Sequence, residues 1–391
     1  MAALAGAGVA AGRPSDALSA LLHAALALPV LALPVRAGAV ESGEAGAAVL
    51  SYRERGLMRV TEPLAWVRLN LDGIWEVRAS AVVDIVSGAS PRLVSNQTGE
   101  PVQALTGASI RDRRVGSDFG VSRRFGEFKL GVSRARSDED DYRSRAYGIQ
   151  ASWERDERLT TFTAGYGKAN DRVGSTENPS LDAPRRTEEF VVGVARVLSP
   201  VAVVQTSVQA SRGRGWFSDP YKLTLTFPPG GGLPTLLRDT RPDERDSLAW
   251  LMRYRHRFPA ASGTLQTEYR YYQDDWRIRS HTLEAGWSHD LQGGWALRPA
   301  VRYATQSAAS FYSPTIPRPV PAAHSSDQRL AAYGSVSPSL KLTGRLEAGF
   351  DVEATAGLYV NASRLRAGGG GSAAFETLRA WYVLVGGKRE F

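Results

Sequence analysis

Residues 75–85 read Trp75-Glu76-Val77-Arg78-Ala79-Ser80-Ala81-Val82-Val83-Asp84-Ile85. Every odd position is apolar, while Glu76, Arg78, Ser80 and Asp84 between them are polar. Side chains alternate across a strand with a period of two, so the stretch is a strand with one apolar and one polar face. The pattern recurs along the chain. Leu248, Trp250, Met252, Tyr254 and Phe258 alternate with Arg253, Arg255 and Arg257; Trp295, Leu297, Val301 and Tyr303 alternate with Arg298, Arg302 and Gln306. Val352, Ala354, Ala356, Leu358 and Val360 alternate with Asp351, Glu353, Thr355 and Asn361.

Such strands occur in soluble sheets, where the apolar face meets a second layer, and in membrane barrels, where it meets lipid. Three features favour the barrel. The alternating runs are about 10–14 residues long, as a tilted membrane crossing requires. Aromatics fall near their ends, at Trp75, Trp153, Phe258, Trp287, Trp295 and Trp381, as in interfacial girdles. Short connections, near 71–73, 125–127, 156–157, 199–200, 259–262 and 292–294, interleave with long ones near 87–113, 171–186, 214–245, 308–327 and 365–374. In bacterial barrels short turns face the periplasm and long loops face outward. Strand 74–86 then runs outward and 58–70 inward, and Ala47–Arg53 supplies the outward strand before them. The count to Phe391 is about sixteen, with fourteen or eighteen as alternatives, in an all-β, up-and-down antiparallel barrel. Val383, Val385 and the C-terminal Phe391 share one parity, the pattern read by the barrel-assembly machinery; Arg389 interrupts it.

Composition agrees. Among 391 residues there are 43% apolar residues, 23% charged residues, 39 glycines and no cysteine. That excludes a disordered tail, a disulfide scaffold and a thiolate-metal protein. The formal charge of +8 raises the question of nucleic acid. Arginines spaced by two along strands instead fit a lumen lining, so no nucleic-acid partner is expected. The apolar run 17–35, followed by Ala37-Gly38-Ala39, reads as a signal peptide over residues 1–39. Residues 40–391 then form one outer-membrane barrel whose surroundings are outer-membrane lipid and lipopolysaccharide.

Glycine clusters at Gly213-Arg214-Gly215 and Gly368–Gly371 lack the strand–loop–helix setting of a phosphate loop. The histidines are scattered, and no metal site or cofactor is expected. Asp138, Glu139, Asp140 and Asp141 form a carboxylate run of a kind that hard cations favour; the alternative is a solvated external turn. The candidate lumen lining is Arg253, Arg255, Arg257, Glu268, Arg270, Glu284, Arg298 and Arg302. Adjacent strands would set its opposite charges across from one another, as an electrostatic filter or as a stiffening lattice. His324-Ser325-Ser326-Asp327, and Asp274-Asp275 with His281, are the nearest approaches to catalytic constellations. Only geometry identifies a triad, and no enzyme is expected.

Several segments are specific enough to carry a resemblance: VDIVSGASP (83–91), GASI-RDRR (107–114), VSRARSDEDDYRSRAYG (132–148), SRGRGWFSDPYK (211–222), RPDERDSLAW (241–250), SAASFYSP (307–314) and HSSDQRLAAYG (324–334). Through them residues 45–340 resemble a family of uncharacterised bacterial outer-membrane β-barrels. The resemblance implies a neighbourhood of flavin-transferase and thioredoxin-like genes, hence periplasmic redox partners; it implies no active residue. The expected function is a pore for small solutes. The alternatives are a plugged barrel that scaffolds envelope redox or electron-transfer partners, and an outer-membrane hydrolase. The 87–113 loop, with Val94, Val102, Ala104 and Leu105 needing cover, is expected to be partly ordered and able to narrow the lumen.

Overall fold

The alternation at 75–85 sits in the third strand of a closed wall. The computed structural model describes residues 40–55, 57–88, 91–95, 102–106, 110–229 and 232–391; the expected leader 1–39 lies outside them. In chain order the strands are β1 (Val40–Glu54), β2 (Met58–Leu71), β3 (Trp75–Gly88), β4 (Pro91–Ser95), β5 (Val102–Thr106), β6 (Ile110–Phe125), β7 (Phe128–Asp138), β8 (Tyr142–Arg155), β9 (Thr160–Val173), β10 (Ala183–Ser199) and β11 (Ala202–Gly215). There follow β12 (Leu223–Thr226), β13 (Thr235–Arg238), β14 (Glu244–Phe258), β15 (Gly263–Asp274), β16 (Arg279–Asp290), β17 (Ala296–Gln306), β18 (Tyr333–Arg345), β19 (Phe350–Ala362) and β20 (Leu378–Glu390). Sixteen of them form one closed antiparallel barrel, with β20 pairing back onto β1. The hairpins β4–β5 and β12–β13 belong to loops.

Every described connection at one end of the barrel is short. Residues 72–74, 126–127, 156–159, 200–201, 259–262, 291–295 and 346–349 make turns of two to five residues. All the long connections lie at the other end: 89–109, 174–182, 216–243, 307–332 and 363–377. The expected loops 87–113, 171–186 and 214–245 are shortened because flanking strands stay paired beyond the alternating core, as β9 and β10 do up to Val173 and Ala183, whereas 308–327 and 365–374 lengthen to 307–332 and 363–377. At the first turn Asp72 and Gly73 both have positive φ, 51° and 63°. Aspartate and glycine tolerate that region best among ordinary residues, and it matches the twist of the flanking strands.

Leu248, Trp250, Met252 and Phe258 on β14, Leu283 on β16, Val301 on β17 and Leu340 on β18 are exposed on the outer wall. Their polar neighbours in sequence line the interior. At the turn end, outer aromatics gather into a girdle: Phe128 stacks on Trp153 at 5.5 Å, and Phe258 lies 5.6 Å from Trp287. Arg123 lies over Trp75 (5.1 Å) and Phe125 (4.7 Å), and Arg155 over Trp153 (5.0 Å). Arg389, which interrupts the apolar parity of β20, stacks on Phe350 at 5.4 Å. Its cationic head thus belongs to the same interfacial belt, where arginine stems lie on apolar surface and heads reach polar groups.

Candidate functional site: the lumen and its cap

The lumen wall from β14 to β17 carries seven arginines and four carboxylates, because each strand gives the interior one parity. Arg253, Arg255, Arg257, Glu268, Arg270, Glu284, Arg298 and Arg302 all lie on this face. Register sets Arg253 opposite Glu268, Glu268 opposite Glu284, and Glu284 opposite Arg302. Arg253 donates to Glu268 at 2.6 Å and Arg298 to Glu284 at 2.9 Å, with Arg302 at 3.9 Å from the same carboxylate. Arg257 pairs with Asp290 at 2.5 Å. Arg255 and Arg270 are exposed to the lumen, and among the described residues neither has a carboxylate partner. Arg270 instead lies over the Tyr272 ring at 5.6 Å.

Roughly across the barrel the wall is built from small residues. Gly120 on β6, Gly131 on β7, Gly148 on β8, and Gly165 and Gly167 on β9 line a cavity of about 410 Å³, with Glu76 and Lys129 at its turn-end side. Neighbouring side chains lie close over several of these glycines, Arg78 over Gly120 and Val191 over Gly165, and the absence of a second layer of side chains leaves the cavity beyond them. Two-residue alternation leaves no mark at such positions, since glycine is neither apolar nor polar in the pattern.

The long loops fold into a cap at the other end. Trp276, in the β15–β16 connection, is 3% exposed and packs with Ile278, Ala309 and Leu330. Its indole donates to the carbonyl of Glu244 at 2.8 Å, and Arg245 stacks on it at 4.2 Å while also pairing with Asp274 at 2.7 Å. Backbone bonds join loop 216–243 to loop 307–332, with His324 N to Thr240 O at 2.7 Å and Ile316 N to Leu225 O at 2.8 Å. The cap spans the mouth. On one side the Tyr221 hydroxyl donates to Asp141 and accepts from Thr176 N. On the other, the Lys222 ammonium acts electrostatically on Glu54 at the end of β1, and β4 lies beside β12.

At its centre is a buried ion network. Asp327, with a side chain 2% exposed, accepts from Arg241 at 2.8 Å, from Arg329 Nε at 2.8 Å and from Arg329 N at 3.0 Å. Arg241 also reaches Asp239 at 2.7 Å, Asp239 accepts from Asp219 N at 2.7 Å, and Arg329 reaches Asp219. Burial by itself would raise the Asp327 pKa. The charges of Arg329, Lys222 and Arg241 outweigh that and hold it well below the usual carboxylate range. Burial pushes Asp239 upward and the Tyr312 hydroxyl up to about 12.

Three sequence candidates are dispersed. Asp138 pairs with Arg136 on the outer wall, Glu139 faces Arg114 at 3.8 Å, Asp140 is exposed, and Asp141 meets Tyr221. His324 turns Nδ1 to Pro321 O (2.9 Å) and Nε2 to Arg238 O (3.1 Å), Ser325 Oγ accepts from Asp327 N, and Ser326 Oγ donates to Leu223 O. His281 bonds Tyr269 on the outer wall, opposite the lumen-facing Asp274. Val94, Val102, Ala104 and Leu105 lie on the β4–β5 hairpin, so their loop is partly ordered; their side chains are outside the described residues. Asp219, Asp239, Arg241 and Arg329 were not singled out from sequence, because loop charges have no period. Their one signal is that Asp219, Arg241, Asp327 and Arg329 fall in segments that carry the family resemblance.

A family described as "Protein of unknown function (DUF3570)" matches residues 18–378. The chain belongs to DUF3570. No curated protein matches the sequence of this DUF3570 member. Among solved structures it is similar to a "Bacterial polysaccharide outer membrane secretin", at TM-score 0.50 and 9% identity, over 89% of this chain and 98% of that one. It is also similar to the CymD monoaromatic hydrocarbon channel (TM-score 0.44, 8% identity, 90% and 89% covered). OccK8 (OprE) of Pseudomonas aeruginosa gives TM-score 0.44 and 8% identity, with 91% and 100% covered. At these identities the likeness concerns the fold, that of outer-membrane β-barrels.

Proposed function

We propose that this DUF3570 member is an outer-membrane pore for small solutes, with an arginine-rich wall that favours anions and a cap that limits size. The carrying observation is the pair Arg255 and Arg270, exposed to the lumen without a carboxylate partner among the described residues. Unneutralised cations facing water raise the local concentration of anions and lower that of cations. A sixteen-strand barrel is also wide enough for an aqueous channel unless loops fill it. Export through residues 1–39 belongs to this reading, and N-terminal sequencing of the mature protein tests it.

Purified protein in planar bilayers under a KCl gradient should give discrete conductance steps and a zero-current potential of anion-selective sign. Absence of conductance from folded, inserted protein would remove the pore. The second reading is a closed barrel that scaffolds envelope redox partners, and the folded cap favours it; crosslinking in cells that recovers such partners, together with no conductance, would select it. In both readings the barrel performs no chemistry of its own. Loss of a lipid- or peptide-hydrolysing activity in His324→Ala would contradict this.

A further inference from the structure

The outer wall carries a feature that the lumen reading does not use. At the loop end of β7–β11, positions of lipid-facing parity are occupied by cations: Arg134 and Arg136, Arg143 and Arg145, Lys168 and Arg172, Arg186, and Arg212 with Arg214. Register places three arginine pairs directly opposite each other, Arg136 with Arg145, Arg143 with Arg172, and Arg186 with Arg214. Like charges in that position repel. Some are relieved within the wall, since Arg136 meets Asp138, Arg186 meets Glu188, Arg172 meets Asp182 at 3.5 Å and Arg214 meets Asp246 at 2.6 Å. Arg143, Arg145 and Lys168 make no ion pair within 4 Å among the described residues; the carboxylates opposite Arg143 and Lys168, Asp138 and Glu188, are already bonded to Arg136 and Arg186. Near their loop ends β15–β19 present Tyr271, His281, Tyr303, Val336 and Leu358, with Arg279 beside them on β16.

Directly toward the turn end from this belt, the outer wall is apolar and open: Tyr147, Ile149, Phe190 and Val192 are each about half exposed. The apolar stretch is also short here. From Tyr147 to Trp153 on β8 is ~20 Å along the strand, or ~15 Å of height at ordinary tilt, against ~25 Å for Leu248 to Phe258 on β14. A molecule matching this face has several negative charges at the level of Arg143, Arg145 and Lys168, and hydrocarbon chains below them.

We propose that β7–β10 form a specific binding site for a multiply phosphorylated lipid of the outer leaflet, the phosphorylated glucosamine disaccharide anchor of lipopolysaccharide. Its phosphates lie between the opposed arginine pairs and its acyl chains over Ile149, Phe190 and Val192. The proposal rests on the outer-membrane reading, because this end of the wall must face the leaflet that contains the lipid. Planar guanidinium groups in pairs suit phosphate oxygens geometrically as well as electrostatically.

The test uses the full-length protein in phosphatidylcholine nanodiscs, titrated with diphosphoryl lipid A, dephosphorylated lipid A, phosphatidylglycerol or inorganic pyrophosphate, and read by native mass spectrometry. Diphosphoryl lipid A should be retained. Arg143→Gln/Arg145→Gln should weaken it by about tenfold or more, as loss of two charge-assisted contacts implies. Arg143→Lys/Arg145→Lys should restore part of the binding, and Arg59→Gln, on the opposite flank, should leave it unchanged. Equal retention of phosphatidylglycerol, equal retention by the double glutamine variant, or binding of pyrophosphate alone would each overturn the site. Heat-modifiable migration on gels establishes that each variant is folded. Because lipid is supplied in vitro, a failed site and a wrong localisation, read separately by membrane fractionation, give different results.

Discussion

Replacing Asp327 by alanine removes the carboxylate on which Arg241 and Arg329 converge. Arg241 is 10% exposed, so it cannot recover full hydration in place. Removing one partner of a buried ion pair costs about 3–5 kcal/mol when the charge left behind has no other partner; Arg241 keeps Asp239 and Arg329 keeps Asp219, so that figure is the upper limit here. At about 1.4 kcal/mol per factor of ten, the open form of the cap gains at most roughly 10²- to 4 × 10³-fold in population. The wall itself loses nothing, since its strands are held by their own ladders. Two assays follow: single-channel recording, where the variant should show larger steps or frequent transitions to them, and protease treatment of intact cells, where loops 216–243 and 307–332 should become cleavable. A variant with wild-type conductance and wild-type protease resistance would refute the cap as a closure held by this network. Acid should act in the same direction. Because the folded Asp327 carboxyl has a pKa below its unfolded value, its contribution is complete above about pH 4 and declines as pH falls toward the lowered value. Its contribution should therefore begin to fall near about pH 4 and shrink steadily as pH drops further, loosening the wild-type cap in strong acid, with no change from this group between about pH 5 and pH 8.

Arg255→Glu should move the zero-current potential toward cation selectivity with little change in thermal stability, because Arg255 has no carboxylate partner to lose; an unchanged potential would place the selectivity elsewhere. Gly148→Trp should lower conductance by filling the cavity beside β8, and unaltered steps from a folded variant would show that ions take another path. Trp276→Ala should cost the cap about 3–5 kcal/mol, as for other buried aromatics. It should also reproduce the protease sensitivity of Asp327→Ala, and resistance equal to wild type would count against a shared cap core.

The wall was legible because two-residue periodicity is a local property. Trp75 to Ile85 declares its two faces without knowing what lies beside it, and the same parity assigns Arg253, Arg255, Arg257, Glu268, Arg270, Glu284, Arg298 and Arg302 to one surface. The cap was not legible in this way. Asp219, Asp239 and Asp327 belong to three separate segments of loop, and only the fold brings them to shared arginines. His324-Ser325-Ser326-Asp327 shows the reverse: the four adjoin in sequence, yet His324, Ser325 and Ser326 bond backbone while Asp327 holds Arg241 and Arg329. The glycine-lined cavity was missed because an unoccupied position has no periodicity to detect. The outer arginines of β7 and β8 were hidden because alternation does not distinguish a charge lining water from one at a membrane surface.

The seam between β1 and β20 has a consequence for how the molecule is made. Every other barrel pairing joins strands that are neighbours in wall order along the chain, so it can zip outward from a nearby connection. The seam joins residues as far apart as Glu44 and Lys388, bonded at 2.7 Å across a separation of 344 positions. It depends on all the intervening strands being in register, because a slip of one residue anywhere reverses the faces that follow. Closure is thus a checkpoint on the whole wall: a chain with one mispaired hairpin presents two open edges, free to pair with a neighbouring molecule.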